Sequence, residues 1–422
     1  MVMELELTKR RLVRELRGRY GVESSPVRLV FAPYRICPLG AHIDHQLGPV
    51  TAMAVDQGVL LAYAPSPVRE VRLTSLEFPG EVRFDLDVPG APQTGDWGDY
   101  ARGAGQALAQ SGYVLRRGLV GIVTGPWSEG GLSSSAAVGV AYLLALEEVN
   151  MLSVAVEKNI LLDQAIENGY LGLQNGILDQ SGILLSRRNH LTYIDCATTR
   201  HQLIPAAHST PPWSLVLAFS GLKKALVGTD YNRRVAECRA AARILLDAAG
   251  RTEETPLLGR VHPREYTEHK GRLPEPLSRR AAHFFSEVER VHRGAEAWRQ
   301  GDLREFGRLM TASGESSIRN YECGCPPLVD LYRILVRCEG IYGARFSGAG
   351  FRGCCIGLAA RAHAADALEA IQRAYAGCQP RLAAEASVVV CHSDDGARFL
   401  GASCAASDAE DHRDAANSTR QD

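Results

Sequence analysis

The chain has 422 residues, more than one compact core usually holds, so two domains are expected. Hydrophobic residues at 45% and charged residues at 23% are ordinary for a soluble globular protein. A formal net charge of −1 lacks the basic field that nucleic-acid binding needs.

The chain opens Met-Val-Met-Glu-Leu-Glu-Leu-Thr-Lys-Arg-Arg, an amphipathic helix start with acidic residues rather than a signal core. Val27 to Pro33 reads as a strand ended by proline, and the Val/Ala/Leu-rich stretch 50–64 as buried sheet. Half-exposed strands are expected at 71–74 and 81–86, a loop at 89–95 and a helix over 97–110. A strand at 118–124 leads through a Gly/Ser loop into a helix reaching Val149. A second helix over 157–172 is closed by glycine. Residues 182–195 suggest a hairpin turning at Arg188-Asn189. A buried strand follows at 214–221 and a helix at 231–249. Residues 250–276 are polar and contain Pro and Gly. Helices dominate from Leu277 to Val336, and strands near 341–347, 354–358 and 386–391 surround a helix over 364–375.

The patterns divide the chain into residues 1–212, residues 213–400 and a disordered Ala/Asp/Ser-rich tail at 401–422. The longest apolar run, Ala136 to Leu146, is too short to span a bilayer. The 11 cysteines include no Cys-x-x-Cys pair, and Cys323 and Cys325 lack a second ligand pair nearby. That argues against structural zinc or a disulfide framework and fits a reducing, cytoplasmic setting.

Three stretches carry chemistry. Ser128-Glu-Gly-Gly-Leu-Ser-Ser-Ser-Ala-Ala137 lies between a strand and a helix, where glycines, hydroxyls and a helix N-terminus favour an anion. It is not a Gly-x-x-x-x-Gly-Lys P-loop, and by itself it is equally an ordinary serine cap. Ala32-Pro-Tyr-Arg-Ile-Cys-Pro-Leu-Gly-Ala-His-Ile-Asp-His45 sets Arg35, His42, Asp44 and His45 between buried segments, the mixed donors and acceptors that sugar hydroxyls require. No further His or Cys cluster completes a metal set around His42-x-Asp44-His45. In the third stretch, 167–180, Glu167 and Asp179 can serve Mg²⁺ and a substrate hydroxyl, or be solvated caps. The Gly-rich turn 346–353 offers close backbone approach or simply a packed strand turn.

In this order the stretches resemble the GHMP kinases, most closely their galactokinase branch. The resemblance rests on Ala32-Pro-Tyr-Arg through Asp44, on Gly131-Leu-Ser-Ser-Ser-Ala, and on Ser347-Gly-Ala-Gly-Phe-Arg-Gly-Cys. Gly176-Ile-Leu-Asp-Gln180 and Tyr231-Asn-Arg-Arg-Val-Ala-Glu-Cys238 match further stretches, so it covers about residues 27 to 395. It implies an α/β (α+β) two-domain fold, ribosomal-protein-S5-like first and ferredoxin-like second, with ATP and sugar in the cleft.

The resemblance also implies site residues. Asp179 and Arg35 fall at the reaction centre, and Ala41, His42, Asp44, Gly176, Tyr231 and Ala349 on the sugar side. Gly130, Gly131, Leu132, Ser133, Ser134, Ser135 and Ala136 form the nucleotide loop, and Ser134 or its neighbour with Glu167 holds Mg²⁺. Its partners are ATP and a sugar, and a monomer that binds neither nucleic acid nor membrane is expected.

Three departures refine this expectation. The sugar signature of galactokinases carries Gly-Glu-His-x-Asp-Tyr, and this chain reads Gly40-Ala41-His42-Ile43-Asp44-His45. Loss of the glutamate removes an acceptor for the C6 hydroxyl and relieves like-charge repulsion of a C6 carboxylate, which points to D-galacturonic acid. Several strings are also similar to those of the galacturonokinases, known chiefly from plants. Arg352 and His45 are candidates for the carboxylate. Tyr34 replaces the family glycine before Arg35, and the nucleotide loop lacks the usual Pro-x-Gly-x-Gly-Leu spacing. A galactose or arabinose kinase and a catalytically inactive sugar sensor are the alternatives.

Overall fold

The structure is a computed structural model that describes residues 2–22, 25–93, 95–126, 131–222, 230–348, 350 and 353–401. Helix α1 (Val2–Tyr20) precedes strand β1 (Arg28–Ile36), which pairs antiparallel with the long strand β2 (Val50–Pro65). Strands β3 (Glu70–Ser75) and β4 (Glu81–Asp85), helix α2 (Asp99–Gln110) and strand β5 (Leu119–Thr124) follow. Helices α3 (Ser134–Val149), α4 (Val156–Ala165) and α5 (Leu178–Leu185) complete the first half's helical layer, and β6 (His190–Asp195) and β7 (Arg200–Pro205) form a hairpin. The sheet order is β1-β2-β5-β3-β4, with β3 and β5 parallel and β6 also on β2, and β12 (Ser393–Asp394) and β13 (Arg398–Leu400) from the chain's end join it on β2 and β1.

The second half starts with β8 (Trp213–Phe219), α6 (Tyr231–Ala248), α7 (Pro263–His269), α8 (Leu277–Gln300), α9 (Leu303–Arg319) and α10 (Pro326–Arg337). Strands β9 (Ile341–Phe346) and β10 (Cys354–Ala360), helix α11 (Ala364–Cys378) and strand β11 (Ser387–Cys391) then close an antiparallel sheet in the order β11-β8-β10-β9. In chain order those strands run fourth, first, third and second, the ferredoxin-like arrangement. The last strands, β12 (Ser393–Asp394) and β13 (Arg398–Leu400), pair with β2 and β1, so the chain returns to its first sheet. The expected boundary at 212/213 falls immediately before β8, but residues 393–400 lie in the first sheet. The expected tail lies outside the described residues beyond Gly401.

Two local expectations need correction. The first strand does not end at Pro33. It runs on to Ile36 through a register shift between Pro33 and Arg35, opposite Gly58. A Cβ on Gly58 would meet the Ala32 carbonyl at 2.3 Å, so a bare backbone there admits the close approach of β1 beside a bulge in β2, where residues 55–57 stand against Tyr34 alone. The second correction concerns 182–195. Gly182 to Leu185 is the end of α5, and the hairpin turns instead between Asp195 and Arg200. A short Gly-Ile-Leu-Leu run suits either a strand or a buried helix. Packing decides for helix, with Ile183 fully buried and Gly182 set close to Ala52 and Arg35.

Candidate active site

Past the irregularity opposite β2, strand β1 brings Arg35 to the first turn of α5, where Asp179 stands. Arg35 Nε and Nη2 donate to Asp179 Oδ1 at 2.9 and 2.7 Å, across 144 positions of sequence. The Asp179 Oδ2 atom accepts from the Ser133 hydroxyl. Arg35 is 3% exposed at its side chain and Asp179 20%, so the carboxylate is the more open partner. Low dielectric strengthens this charge-assisted pair and fixes the carboxylate's orientation.

Glycines of three motifs meet here. Ser133, in the left-handed region at φ +57°, caps α3, and Leu132 presents its carbonyl to the Arg35 N–H at 3.3 Å. Gly348 of the C-terminal glycine turn packs so tightly that a Cβ would lie 2.7 Å from the Gly131 carbonyl oxygen. A Cβ on Gly176 would lie 2.3 Å from Asp44 Oδ2. Gly176 thus makes room for the Asp44 carboxylate, which accepts backbone N–H groups of His45 and Leu178. Burial, and then the Asp179 charge, push the Asp44 carboxyl up to about 6.

The rest of the sugar signature turns away from bulk water. His42, itself at φ +64°, stacks on Tyr321 at 4.3 Å, and burial holds its imidazole neutral, well below the usual range. His45 meets the Tyr321 hydroxyl at 3.1 Å and the Gln46 amide at 3.0 Å, and burial lowers it to about 3. The Ala41 carbonyl accepts from His283 Nε2 at 3.0 Å, and the Gly40 N–H donates to Glu287 Oε1 at 2.8 Å. Tyr34 is buried and donates to the Pro126 carbonyl at 2.5 Å, lying under the start of the nucleotide loop.

Behind Asp179 lies an acidic layer. Asn175 donates to Glu167 Oε2 at 2.8 Å and Ser135 also hydrogen-bonds that carboxylate, while Oε1 is buried without a partner. Burial, and then Asp179, raise the Glu167 carboxyl to about 7. Both oxygens of the buried Asp163 also lack partners, and its place against Gly139 leaves no room there for a Cβ. An unpartnered buried carboxylate oxygen beside two further acids and serine hydroxyls fits a hard divalent cation with oxygen ligands. No group of three or more ligating side chains already stands in coordination geometry among the described residues.

These elements enclose a cavity of about 570 Å³. Its lining includes a largely polar set, Arg35, Ala41, Asp44, Asp179, Tyr231 and Arg345. It also includes an aromatic and apolar set, Phe78, Trp97, Tyr100, Tyr142 and Leu173, side chains suited to a flat purine ring. Gly131, Ser133, Ser134 and Ser135 line the same cavity, and Leu132 and Ala136 are buried. Gly130, Ala349 and Arg352 lie outside the described residues. Sequence reading missed Arg345, Glu287, His283, Tyr321 and the aromatic wall. Only the clustering of Phe78 and Trp97 around a loop offered a signal.

The fold and cavity are those of a two-domain small-molecule kinase. Family comparisons agree with that class: the galactokinase galactose-binding signature matches residues 15–65, the GHMP kinases N terminal domain 119–187, and the GHMP kinases C terminal domain 295–377. A galacturonokinase of Arabidopsis thaliana is 48% identical over 411 residues, 92% of this chain and 96% of the relative. A galactokinase of Roseiflexus is 33% identical, covering 90% of this chain and 96% of its own. The crystal structure of Lactococcus lactis galactokinase with galactose superposes with a TM-score of 0.85 at 28% identity, covering 92% and 98% of the two chains. Mevalonate kinase, at a TM-score of 0.61 and 15% identity, shares the fold. The chain belongs to the GHMP kinases, in the branch that holds the galactokinases and galacturonokinase. It is an ATP-dependent sugar kinase. Among the described residues no helix is long and apolar enough to cross a membrane.

Proposed function

We propose that the protein transfers the γ-phosphoryl group of ATP to the anomeric hydroxyl of D-galacturonic acid, giving D-galacturonate 1-phosphate and ADP. The observation that carries the substrate is Ala41, a small neutral side chain on the sugar side of the cavity where galactokinases place an acid. The 48% identity to a galacturonokinase supports the same reading.

The residues divide the work. Asp179 orients the C1 hydroxyl and takes its proton as the oxygen bonds to the γ-phosphorus and the bond to the β-phosphate oxygen breaks. Arg35 holds that carboxylate and stabilises negative charge on the transferring group. Asp44 accepts from sugar hydroxyls, Tyr231 and His42 wall the sugar, and Gly176 admits Asp44. The Gly131–Ala136 backbone at the start of α3 cradles the phosphates. Mg²⁺ held by Glu167 with Ser134 or Ser135 would neutralise phosphate charge. We place the enzyme in the cytoplasm as a monomer, without nucleic-acid partners, and divide it near 212/213 with residues 393–400 returning to the first domain.

The test is ADP release with D-galacturonate, D-galactose, D-glucuronate and L-arabinose. Galacturonate should give the highest kcat/KM. Preference for galactose would refute the substrate, and no turnover with any sugar would refute the kinase reading.

A further inference from the structure

Two consecutive residues of β1 hold the two flanks of the Gly/Ser stretch. The Tyr34 hydroxyl donates to the Pro126 carbonyl at 2.5 Å, across 92 positions of sequence. The N–H of the next residue, Arg35, donates to the Leu132 carbonyl at 3.3 Å. Pro126 follows β5 and Leu132 precedes α3, so one dipeptide is tied to both ends of the segment that joins them. The side chain of the same Arg35 is held on Asp179. The reaction centre and the nucleotide loop therefore share a two-residue anchor.

The Tyr34 half of this anchor has space made for it. Tyr34 is fully buried, in the same core as Val59, Leu132 and Ala136, and it also lines the cavity. Gly125, one residue before Pro126, leaves its side-chain space to the phenol: a Cβ there would lie 2.8 Å from the Tyr34 oxygen and 3.1 Å from Val59 Cγ2. Burial, and then the Glu77 charge, push the Tyr34 phenol up, so it keeps its proton and remains a donor. A buried hydroxyl without an acceptor is costly, which keeps the ring tied to the Pro126 carbonyl.

We propose that Tyr34 is a positioning residue for the nucleotide phosphates. Its hydroxyl, acting through the Pro126 carbonyl, fixes one end of the loop while the Arg35 N–H fixes the other. The assignment rests on the Gly131–Ala136 backbone cradling the phosphates and is independent of which sugar is the substrate.

The test compares the full-length wild type with Tyr34→Phe, Gly125→Ala and the double variant. Calorimetry with Mg²⁺ gives Kd for ADP, competition against ATP gives Ki for adenosine, and ADP release gives KM for ATP and sugar. Tyr34→Phe keeps the ring and loses the tie. ADP Kd and ATP KM should rise about five- to tenfold, with adenosine Ki and sugar KM changed by less than about twofold. Gly125→Ala should displace the hydroxyl and give a similar loss by a different route. In the double variant the new methyl meets no hydroxyl, so its loss should stay close to that of Tyr34→Phe alone. Losses that multiply in the double variant, equal losses for ADP and adenosine, or an unchanged ADP Kd in Tyr34→Phe would overturn the role of Tyr34. If Gly125→Ala does not fold, Tyr34→Phe decides alone through the comparison of ADP with adenosine. A wild type that binds adenosine as tightly as ADP would refute the phosphate loop and this assignment with it.

Discussion

Replacing Ala41 by glutamate restores the acid that galactokinases carry and turns the substrate argument into a number. Ala41 is 4% exposed, and its carbonyl is pinned by His283, so a new side chain must extend into the cavity. Two carboxylates about 4 Å apart at an effective dielectric near 20 repel by about 4 kcal/mol, on the order of a thousandfold in affinity. Solvent and side-chain adjustment would screen part of this, so the expected fall in kcat/KM for galacturonate is about 30- to 1,000-fold. Galactose carries no C6 charge and should lose little. Ala41→Gln, of the same size without the charge, separates crowding from electrostatics in the ADP-release assay. Equal losses in the glutamate and glutamine variants, or equal losses on the two sugars, would refute the like-charge argument.

Asp179→Asn should lower kcat by at least about a hundredfold while ADP still binds, because it removes the proton acceptor but keeps the side chain's size; stopped-flow or steady-state ADP release checks this. Glu167→Gln tests the acidic layer by stability. Burial and then Asp179 raise the Glu167 carboxyl from 4.5 to about 7, so the folded state holds the proton more tightly than the unfolded chain. That contribution is fully present below about 4.5 and is lost as pH rises through about 7, so nucleotide- and metal-free Tm should fall between about pH 4.5 and 7 and level off above it. The glutamine variant should flatten that fall in a thermal scan and lose Mg²⁺-dependent activity. In Gly176→Ala the new Cβ would stand 2.3 Å from Asp44 Oδ2, displacing that carboxylate, so sugar KM should rise roughly tenfold or more with ATP KM little changed.

Much of the site was legible because its parts are local. The triple serine before an apolar helix reads as an anion-binding helix start or a serine cap; Ser133 holds the N-cap position of α3 in the left-handed region, but its hydroxyl donates to Asp179 and makes no cap hydrogen bond. Arg35 and Asp179 were nominated by their motifs, and the structure brings them within hydrogen-bond distance. The turn holding Gly348 was read as a place of close approach and Gly176 as a sugar-side position, and each glycine packs where a Cβ would clash, Gly176 on Asp44 and Gly348 on Gly131. Strand periodicity located β2, β5 and β8, whose burial follows from their Val, Ala and Leu content. It failed at Gly182 to Leu185, where four residues are too few to separate helix from strand and contact with Ala52 and Arg35 decides.

By itself, then, the sequence singled out the Gly/Ser loop, Arg35 with Asp179, and the neutral Ala41, all features written in short strings with a direct chemical meaning. Only the tertiary structure decided what surrounds them. The Gly40 N–H bonds a carboxylate 247 positions away and the Ala41 carbonyl bonds an imidazole 242 positions away, distances at which no periodicity or spacing carries information. Arg345 stands in an ordinary strand and looks like any buried arginine until β9, α8 and the loop after β1 fold together. Its unused N–H groups and the Glu287 charge it shares with Arg290 exist only in that assembled cluster.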